Sequence, residues 1–317
     1  MKKVLLIAAA AMLLLSMTSC NKHKDGVFNP KQKISAIYYS YRSQSSWYNS
    51  DTYTWEDYDP DITPRHKSEE WIWDGKQLQQ IRHYDTDGTI DATETFTYDG
   101  KKLIRAEYKE TDGWGYYTNY EYDGKELASA KFYFNDGLIR CNYEFTHTDK
   151  KITDITLTEY DYDKNVKDRA KHQISSLRSI LPMGQIGEKV MANCGARLKT
   201  KAASTHITRI SLTWTENNIT RITYKWSDGY TGTEEFTYDN KKNPYYGFLA
   251  SFTDEMQMVA PLYSSENNVL TDDPSDPPYV YEYDKNDYPT SCVYTYSYSS
   301  DTYRDKWTST YEYEYLK

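Results

Sequence analysis

The stretch that decides the fold runs from Glu94 to Glu110 and reads ETFTYDGKKLIRAEYKE. Alternating polar and aromatic residues lead into Tyr98-Asp99-Gly100, and a second alternating segment follows. Asp-Gly favours a tight hairpin turn, because Gly adopts positive φ freely and Asp tolerates it. The stretch therefore predicts two antiparallel strands joined by a short turn.

The same phrase recurs at regular intervals. Trp73-Asp74-Gly75 and Tyr122-Asp123-Gly124 lie 25 and 24 residues from the first example. Additional Asp-Gly pairs fall at Asp87-Gly88, Asp112-Gly113 and Asp136-Gly137. A turn after every strand of roughly ten residues predicts an antiparallel meander.

Each predicted strand has two unlike faces. Ile104, Ala106 and Tyr108 share one parity, and the three residues interleaved with them are charged. In the same way, Phe132 and Phe134 alternate with polar positions. The pattern predicts an all-β fold with one buried aromatic face and one charged face. Roughly sixteen strands would form a barrel or a large curved sheet.

Aromatic residues must supply most of the core. The 317-residue chain has 34 tyrosines and 16% aromatic residues at a mean hydropathy of −0.88. Disordered chains lack aromatic residues, so this composition favours a folded chain. We predict a single β domain over residues 33–317.

Residues 164–204 interrupt the repeat pattern, being basic and poor in aromatic residues. Ile174, Leu177 and Leu181 have helical spacing and Pro182 follows, which predicts one short helix over Lys171–Leu181. We interpret this insert as a packing element that plugs or caps the sheet, with a binding element as the alternative.

The N-terminus resembles a bacterial lipoprotein leader. Lys2 and Lys3 precede an apolar run, Val4–Leu15, that is too short to span a bilayer comfortably. Residues 1–19 are therefore predicted to be a signal peptide. The sequence SMTS before Cys20 resembles a lipobox, which implies lipidation of Cys20, with residues 20–32 as a lipidated N-terminus and tether. An ordinary secretory signal is the alternative.

The formal charge of −9 disfavours nucleic acid and anionic membrane surfaces as partners. The predicted contact with a membrane is therefore through lipid on Cys20. The oligomeric state and the side of the outer membrane are left open.

Three cysteines remain after Cys20, and an odd number cannot be fully paired within one chain. They are Cys141, Cys194 and Cys292. Cys141 lies on the apolar face of its strand, so we interpret it as a small buried hydrophobic residue.

The repeat resembles the YD repeat of Rhs-type bacterial surface proteins over residues 68–162. It returns at Thr237-Tyr238-Asp239-Asn240 and in the stretch that begins at Tyr281. Large members of that family wrap hairpins into a shell around a toxin, and this chain is too short to do so.

A second resemblance is to Gram-negative lipoproteins of a domain-of-unknown-function family with a porin-like fold. It rests on NPYYGFLASF from Asn243, LYSSENNV from Leu262 and YEYDKNDYPTS from Tyr281. The resemblance implies a fold and a location only.

No catalytic motif is present. The six histidines form no HExxH, and the chain has no GxSxG elbow, Walker loop or CxxC. We expect no cofactor and prefer a non-enzymatic function. Asp85, Asp87 and Asp91 place oxygens at intervals around Gly88, as in part of a calcium loop, although a hairpin turn explains them equally well.

Eight tryptophans raise the possibility of glycan binding, because sugar C–H faces stack on aromatic rings. Trp114 in the turn DGWGYY, Tyr116 and Trp226 are the candidate ligand-binding residues. The alternative is that these rings are core material.

We predict an outer-membrane lipoprotein, at the periplasmic face or the cell surface, with a structural or ligand-binding β module. A glycan-capturing or carbohydrate-active surface protein is the alternative. A further alternative is a porin-like barrel, in which the aromatic face would look outward and the charged face would line a lumen.

Overall fold

The computed structural model describes residues 27–135, 137–160, 205–249, 261–271 and 277–317. Antiparallel strands dominate these residues, together with a four-residue helix, α1 (Pro261–Ser264). The strands are β1 (Ile34–Asn49), β2 (Thr54–Asp57), β3 (Asp61–Asp74), β4 (Gln77–Tyr84), β5 (Ile90–Asp99), β6 (Lys102–Glu110), β7 (Gly115–Asp123), β8 (Glu126–Phe134), β9 (Ile139–Thr148), β10 (Lys151–Tyr160), β11 (Thr205–Thr215), β12 (Asn218–Trp226), β13 (Thr231–Glu235), β14 (Thr237–Tyr238), β15 (Val269–Thr271), β16 (Val280–Tyr283), β17 (Pro289–Ser299) and β18 (Tyr303–Tyr315).

Sixteen strands form one curved sheet. It runs from β13 through β12 down in sequence order to β3, and then through β1, β18, β17 and β16, with β2 paired to β1. β14 and β15 form a separate two-stranded sheet. The predicted all-β meander is confirmed. Of its two predicted forms, the large curved sheet is the one observed, since β13 and β16 are unpaired ends of the described sheet.

The repeated aromatic residue ties neighbouring strands together. The hydroxyl of Tyr98 donates to the carbonyl of Leu78 at 2.7 Å, and Tyr122 donates to Leu103 at 2.6 Å. Matching bonds run from Trp73 to Ile34, from Trp214 to Ile152, from Tyr238 to Ile219 and from Tyr315 to Pro289. Each aromatic tip thus satisfies a backbone carbonyl at the start of an adjacent strand. We call this set the aromatic ladder.

Each hairpin of this type has a β-bulge beside its turn. The extra residue changes which positions at the start of the following strand face the core. The register shifts between Thr97 and Tyr98, so that Tyr98 lies opposite Leu103. Leu103 is therefore buried, whereas Ile104 is 37% exposed. The prediction that Ile104 faces the core was wrong, because simple alternation does not allow for the extra residue.

The remaining face assignments hold. Ala106, Tyr108 and Phe132 are at most 4% exposed, while Lys109 is exposed. The aromatic face therefore packs in the interior. The porin-like alternative required this face to look outward, and that arrangement is not the one observed.

An irregular segment fills the concave side of the sheet. Phe248 lies between rings of the sheet and of the N-terminal segment, with centroids 5.4 Å from Trp71, 5.7 Å from Phe96 and 5.2 Å from Phe28. Tyr263 of α1 also packs on Phe248, with the ring centroids 5.4 Å apart. We call residues 239–249 and 261–268 the plug. It joins strands that are far apart in the sheet into one core.

The hairpins define two rims of the sheet. The YD rim comprises the chain entry and exit (27–33, 315–317), the turns 74–77, 99–102, 123–126, 148–151, 215–218 and 283–289, and the adjoining plug segments 239–243 and 265–268. The opposite rim carries the turns 85–89, 111–114, 135–138, 227–230 and 300–302. The strands of the main sheet run between these two rims, except β2, which pairs only with the far end of β1.

Several predicted features fall outside the described residues: the signal peptide, Cys20, Cys194 and the whole insert 164–204, including the helix Lys171–Leu181. Phe28 is 7% exposed and Gln32 bonds to Asp284, so the later part of the predicted tether is docked on the domain. Cys141 is 9% exposed and lies in the core, which confirms its interpretation as a small buried hydrophobic residue.

Candidate functional site

β1, β17 and β18 extend past the shorter strands of the sheet at the opposite rim. β1 has 16 residues and β18 has 13, whereas β6, β7 and β8 have 9 each. At ~3.3 Å per residue, β1 is longer than these strands by roughly 20 Å. The ends of β1, β17 and β18 therefore form a ribbon with no packed sheet beyond it among the described elements.

One face of this ribbon is aromatic. Residues directly opposite one another on paired strands share a face. Trp47 lies opposite Tyr303, and Trp307 lies opposite Tyr296. Tyr298 lies opposite Asp305, on the same face. We call Trp47, Tyr296, Tyr298, Tyr303 and Trp307 the aromatic platform.

The platform rings contact one another and are accessible. The centroids of Tyr296 and Trp307 are 4.4 Å apart, and those of Tyr298 and Tyr303 are 6.5 Å apart. Trp47, Tyr298 and Tyr303 are 36%, 49% and 37% exposed. These rings continue the face that is buried nearer the centre of the sheet, but here that face is open.

Polar side chains alternate with the rings. The Ser45 hydroxyl donates to Asp305 Oδ1 at 2.9 Å, directly between the two ring pairs. Ser43 lies opposite both Trp307 and Asp61 across its two neighbouring strands. Aromatic rings of this kind can stack on an apolar face of a ligand. The hydroxyl and carboxylate groups between them can hydrogen-bond to polar groups at the edge of the same ligand.

The reverse side of the ribbon is held by a second aromatic group. Tyr48 packs on Trp55 at 5.6 Å, and the Arg304 guanidinium lies 3.8 Å from the Trp55 ring centroid. The Tyr48 amide also donates to the Thr302 carbonyl at 2.9 Å. These contacts join β1, β2 and the β17–β18 turn, and so position the platform from behind.

The predicted ligand-binding residues lie at the same rim but differ in accessibility. Tyr116 is 2% exposed and belongs to the core. Trp114 is partly buried against it, at 5.5 Å. Trp226 packs on Tyr230, which is 51% exposed, at 5.1 Å. Of the three, Trp114 and Trp226 remain candidates, and neither belongs to the platform.

The predicted cation loop forms a tight turn. Asp87 Oδ1 accepts hydrogen bonds from the amide and hydroxyl of Thr89, at 2.8 and 2.6 Å, which lowers the pKa of Asp87. Burial and Asp85 raise the pKa of Asp91. Within the described ranges, no three His, Cys, Asp or Glu side chains are placed to hold a metal ion. The geometry gives the cation prediction no support.

The core contains a polar cluster that sequence reasoning missed. Glu69, His83 and Glu94 are 3%, 6% and 7% exposed and lie on adjacent strands. His83 Nε2 is 3.9 Å from Glu94 Oε2, and Trp71 Nε1 donates to Glu69 at 2.7 Å. No sequence motif marks the cluster, because its members come together only through strand pairing.

Burial and charge act in opposite directions on this cluster. Burial raises the pKa of Glu69. Burial alone would lower the pKa of His83, but the nearby carboxylates of Glu94 and Glu69 outweigh it and raise that pKa. Both shifts favour the protonated forms. The cluster lies in the core beneath the plug and away from the platform.

The platform residues were also missed, although a signal for them is present. The stretch YTYSYSSDTYRDKW, from Tyr294, alternates aromatic and polar residues on both sides of a polar turn. Its pairing with β1 spans more than 250 residues of sequence and could not be deduced from local pattern.

Comparisons with known proteins give structural neighbours only. No model of a known family matches the chain, and no curated protein is significantly similar to it. A porin-like protein from Bacteroides uniformis ATCC 8492 is similar with a TM-score of 0.43 and 13% identity, over 87% of this chain and 97% of that one. A porin-like protein from Bacteroides vulgatus ATCC 8482 has a TM-score of 0.26 and 9% identity, over 90% and 99%.

The TcdB2-TccC3-Cdc42 structure is also similar, with a TM-score of 0.27 and 12% identity, over 72% of this chain and 10% of that one. TM-scores this low carry no argument about activity. Among the residues that the structure describes, no helix has the length and apolarity needed to cross a bilayer.

Proposed function

We propose that the protein is a lipid-anchored outer-membrane protein whose β module captures a glycan on the aromatic platform without catalysing its cleavage. The lipobox-like sequence before Cys20 supports the anchor. The observation that carries the binding function is the exposure of three platform rings on one face of an overhanging ribbon.

The chemistry of the platform suits a saccharide. A sugar ring presents C–H groups on its face and hydroxyls at its edge. The face can stack on Tyr296 and Trp307, while Ser45 and Asp305 lie at hydrogen-bonding positions between the rings. Aromatic side chains have few rotatable bonds, so ordering them on binding costs little.

The binding experiment compares two double variants by affinity electrophoresis against a panel of soluble polysaccharides. Tyr296→Ala/Trp307→Ala should abolish the retardation that the unaltered protein shows. The control, Tyr117→Ala/Tyr133→Ala, removes a stacked pair of rings, 4.9 Å apart, elsewhere on the sheet and should retain it. Tyr298→Ala alone, at a half-exposed position, should weaken binding without affecting the fold.

Two results would reject the proposal. One is that no polysaccharide retards the unaltered protein, and the other is that both double variants lose binding equally. Release of reducing sugar from a bound polysaccharide would instead favour the carbohydrate-active alternative.

The anchor has its own test. Cells grown with radiolabelled palmitate should incorporate label into the protein, and Cys20→Ala should prevent it. Label that persists in the variant, or absence of label from the unaltered protein, would leave the ordinary secretory signal as the correct interpretation.

A further inference from the structure

The chain enters the β domain at the YD rim. Phe28 packs on Trp73 with centroids 5.6 Å apart, and the Gln32 amide donates to Asp284 Oδ2 at 2.9 Å. Asp284 lies in this rim, and Trp73 directly precedes its turn 74–77. Phe28 follows Cys20 by eight positions, and a fully extended chain of that length reaches at most about 28 Å. A lipid on Cys20 therefore keeps the YD rim close to the bilayer.

Lysine is concentrated at the same rim. The YD rim, as defined above, has twelve lysines and ten acidic residues, whereas the rest of the described chain has thirteen basic and twenty-six acidic residues. Six of the rim lysines are exposed at or beside turns: Lys76, Lys101, Lys125, Lys150, Lys242 and Lys285.

Several of the rim's acidic groups are engaged within the protein. Asp239 accepts hydrogen bonds from Asn268 and Tyr283, and Asp284 accepts the amides of Asn286 and Tyr288. Lysine side chains reach several atoms farther from the backbone than aspartate side chains do. Six acidic side chains are also exposed at these turns (Asp74, Asp99, Asp123, Glu126, Asp149 and Glu216), so the basic character of the outermost surface depends on this longer reach of lysine.

We propose that the YD rim is the membrane-facing surface of the protein and rests on anionic lipid headgroups, so that the aromatic platform points away from the membrane. The role of the tether in this arrangement rests on the lipidation of Cys20 proposed above. Anionic headgroups are the partner that fits, because a row of exposed lysines beside a lipid anchor adds electrostatic attraction to hydrophobic insertion.

The negative net charge of the protein does not oppose this docking. The two rims are separated by strands of about ten residues, or ~33 Å. Charges at the opposite rim are then several Debye lengths from the headgroups, since that length is about 8 Å at physiological ionic strength. The local charge of the YD rim decides the interaction.

The test uses the mature chain from residue 20 with Cys20→Ala, so that no acyl chain contributes. Sedimentation with vesicles of phosphatidylglycerol and phosphatidylcholine should carry the protein down at low salt, and pure phosphatidylcholine vesicles should not. Lys76→Glu/Lys101→Glu/Lys125→Glu should weaken binding by at least about tenfold.

A matched variant separates the rim from net charge. Lys109→Glu/Lys225→Glu/Lys306→Glu reverses the same number of exposed lysines outside the YD rim and should bind as the parent does. Equal loss in both triple variants, or equal sedimentation with neutral vesicles, would overturn the proposal.

Orientation is measured on the lipidated protein in the same vesicles, with Cys194→Ser to remove that thiol. A fluorophore on Lys125→Cys should be quenched by headgroup-labelled lipid, and one on Ser300→Cys at the opposite rim should not. The reverse order would contradict the proposed orientation. None of these experiments involves a glycan, so their failure leaves glycan capture standing, and failure of glycan binding leaves the docking intact.

Discussion

The aromatic residue of each repeat serves both packing and backbone hydrogen bonding. Tyr98 lies against the core and its hydroxyl donates to the carbonyl of Leu78, which is 0% exposed. Burial raises the pKa of Tyr98 well above its ordinary value, so the phenol keeps the proton that it donates. A residue with a large ring and a hydrogen-bond donor at its tip is needed here, which explains why either Tyr or Trp occupies each position of the ladder.

Replacing Tyr98 with Phe should therefore lower the free energy of unfolding by about 1–2 kcal/mol, because the Leu78 carbonyl loses its partner while the ring contacts remain. Urea denaturation measures this. Tyr117→Phe, on the other face of the sheet, serves as the control and should change stability much less. Equal effects would show that the ladder bond adds nothing.

The buried cluster predicts a pH dependence of stability. The pKa of His83 is raised in the folded state, so its contribution is fully present below the ordinary value of 6.5 and is lost as pH rises through the folded value. The raised pKa of Glu69 acts in the same direction from 4.5 upward. The free energy of unfolding should thus fall as pH rises through this range.

His83→Gln should flatten the part of this profile above pH 6.5. Urea denaturation at a series of pH values measures it, and an NMR titration of the His83 ring reports its folded pKa directly. A profile that is the same in the variant and the parent would show that His83 is not the group responsible.

At the scale of the hairpin, two kinds of glycine are present. Gly124 has φ +58° and no atom within 4 Å of an added Cβ, so its role is conformational. Gly115 faces a different constraint, because a Cβ there would lie 2.3 Å from the Tyr108 carbonyl oxygen. The turn position Gly124 has room for a side chain but requires positive φ. The strand position Gly115 has no room for a Cβ unless the neighbouring backbone moves.

Gly124→Ala should cost about 1–2 kcal/mol of stability, and Gly124→Asn less, since Asn adopts positive φ more readily. Gly115→Ala should cost at least about 3 kcal/mol, because backbone atoms of β6 must move. Thermal or urea unfolding of the three variants gives the order. A Gly115 variant as stable as the Gly124 variants would contradict this account.

Hairpin positions could be predicted because the turn chemistry is local. The repeat places Asp-Gly at the corners, and the buried face follows by alternation as far as the next bulge. Leu103 shows where alternation fails: the aliphatic residue five positions after each ladder residue is the buried one, as Leu78 and Leu127 also show. The platform and the Glu69–His83–Glu94 cluster depend on pairing between strands, which local pattern does not encode.

At the scale of the whole molecule, the plug packs against several strands of the curved sheet and supplies part of their shared core. Tyr245 contacts Trp71 of β3 and Tyr313 of β18, while Phe248 contacts Phe96 of β5. These strands are brought to one point by the plug rather than by hydrogen bonding to one another. The curvature of the sheet and the packing of the plug are therefore coupled.

Phe248→Ala should destabilise the protein by about 3–5 kcal/mol and loosen several strands together. Denaturation together with the binding of a hydrophobic dye to the folded state measures both effects. Phe134→Ala, at a half-buried ring far from the plug, is the comparison and should cause less dye binding. A Phe248 variant that unfolds at nearly the same denaturant concentration as the parent would show that the stability of the sheet does not depend on the packing of the plug.

The direction of the aromatic ladder has one more consequence. Each donor bonds to a strand beside it, so a ladder bond joins neighbours in space even where they are far apart in sequence, as Trp214 and Ile152 are. A whole hairpin could then be gained or lost by duplication or deletion of one stretch of the gene, and the flanking units would reconnect by the same bond. Such a chain can change length in steps of one hairpin while keeping its turns and its buried face.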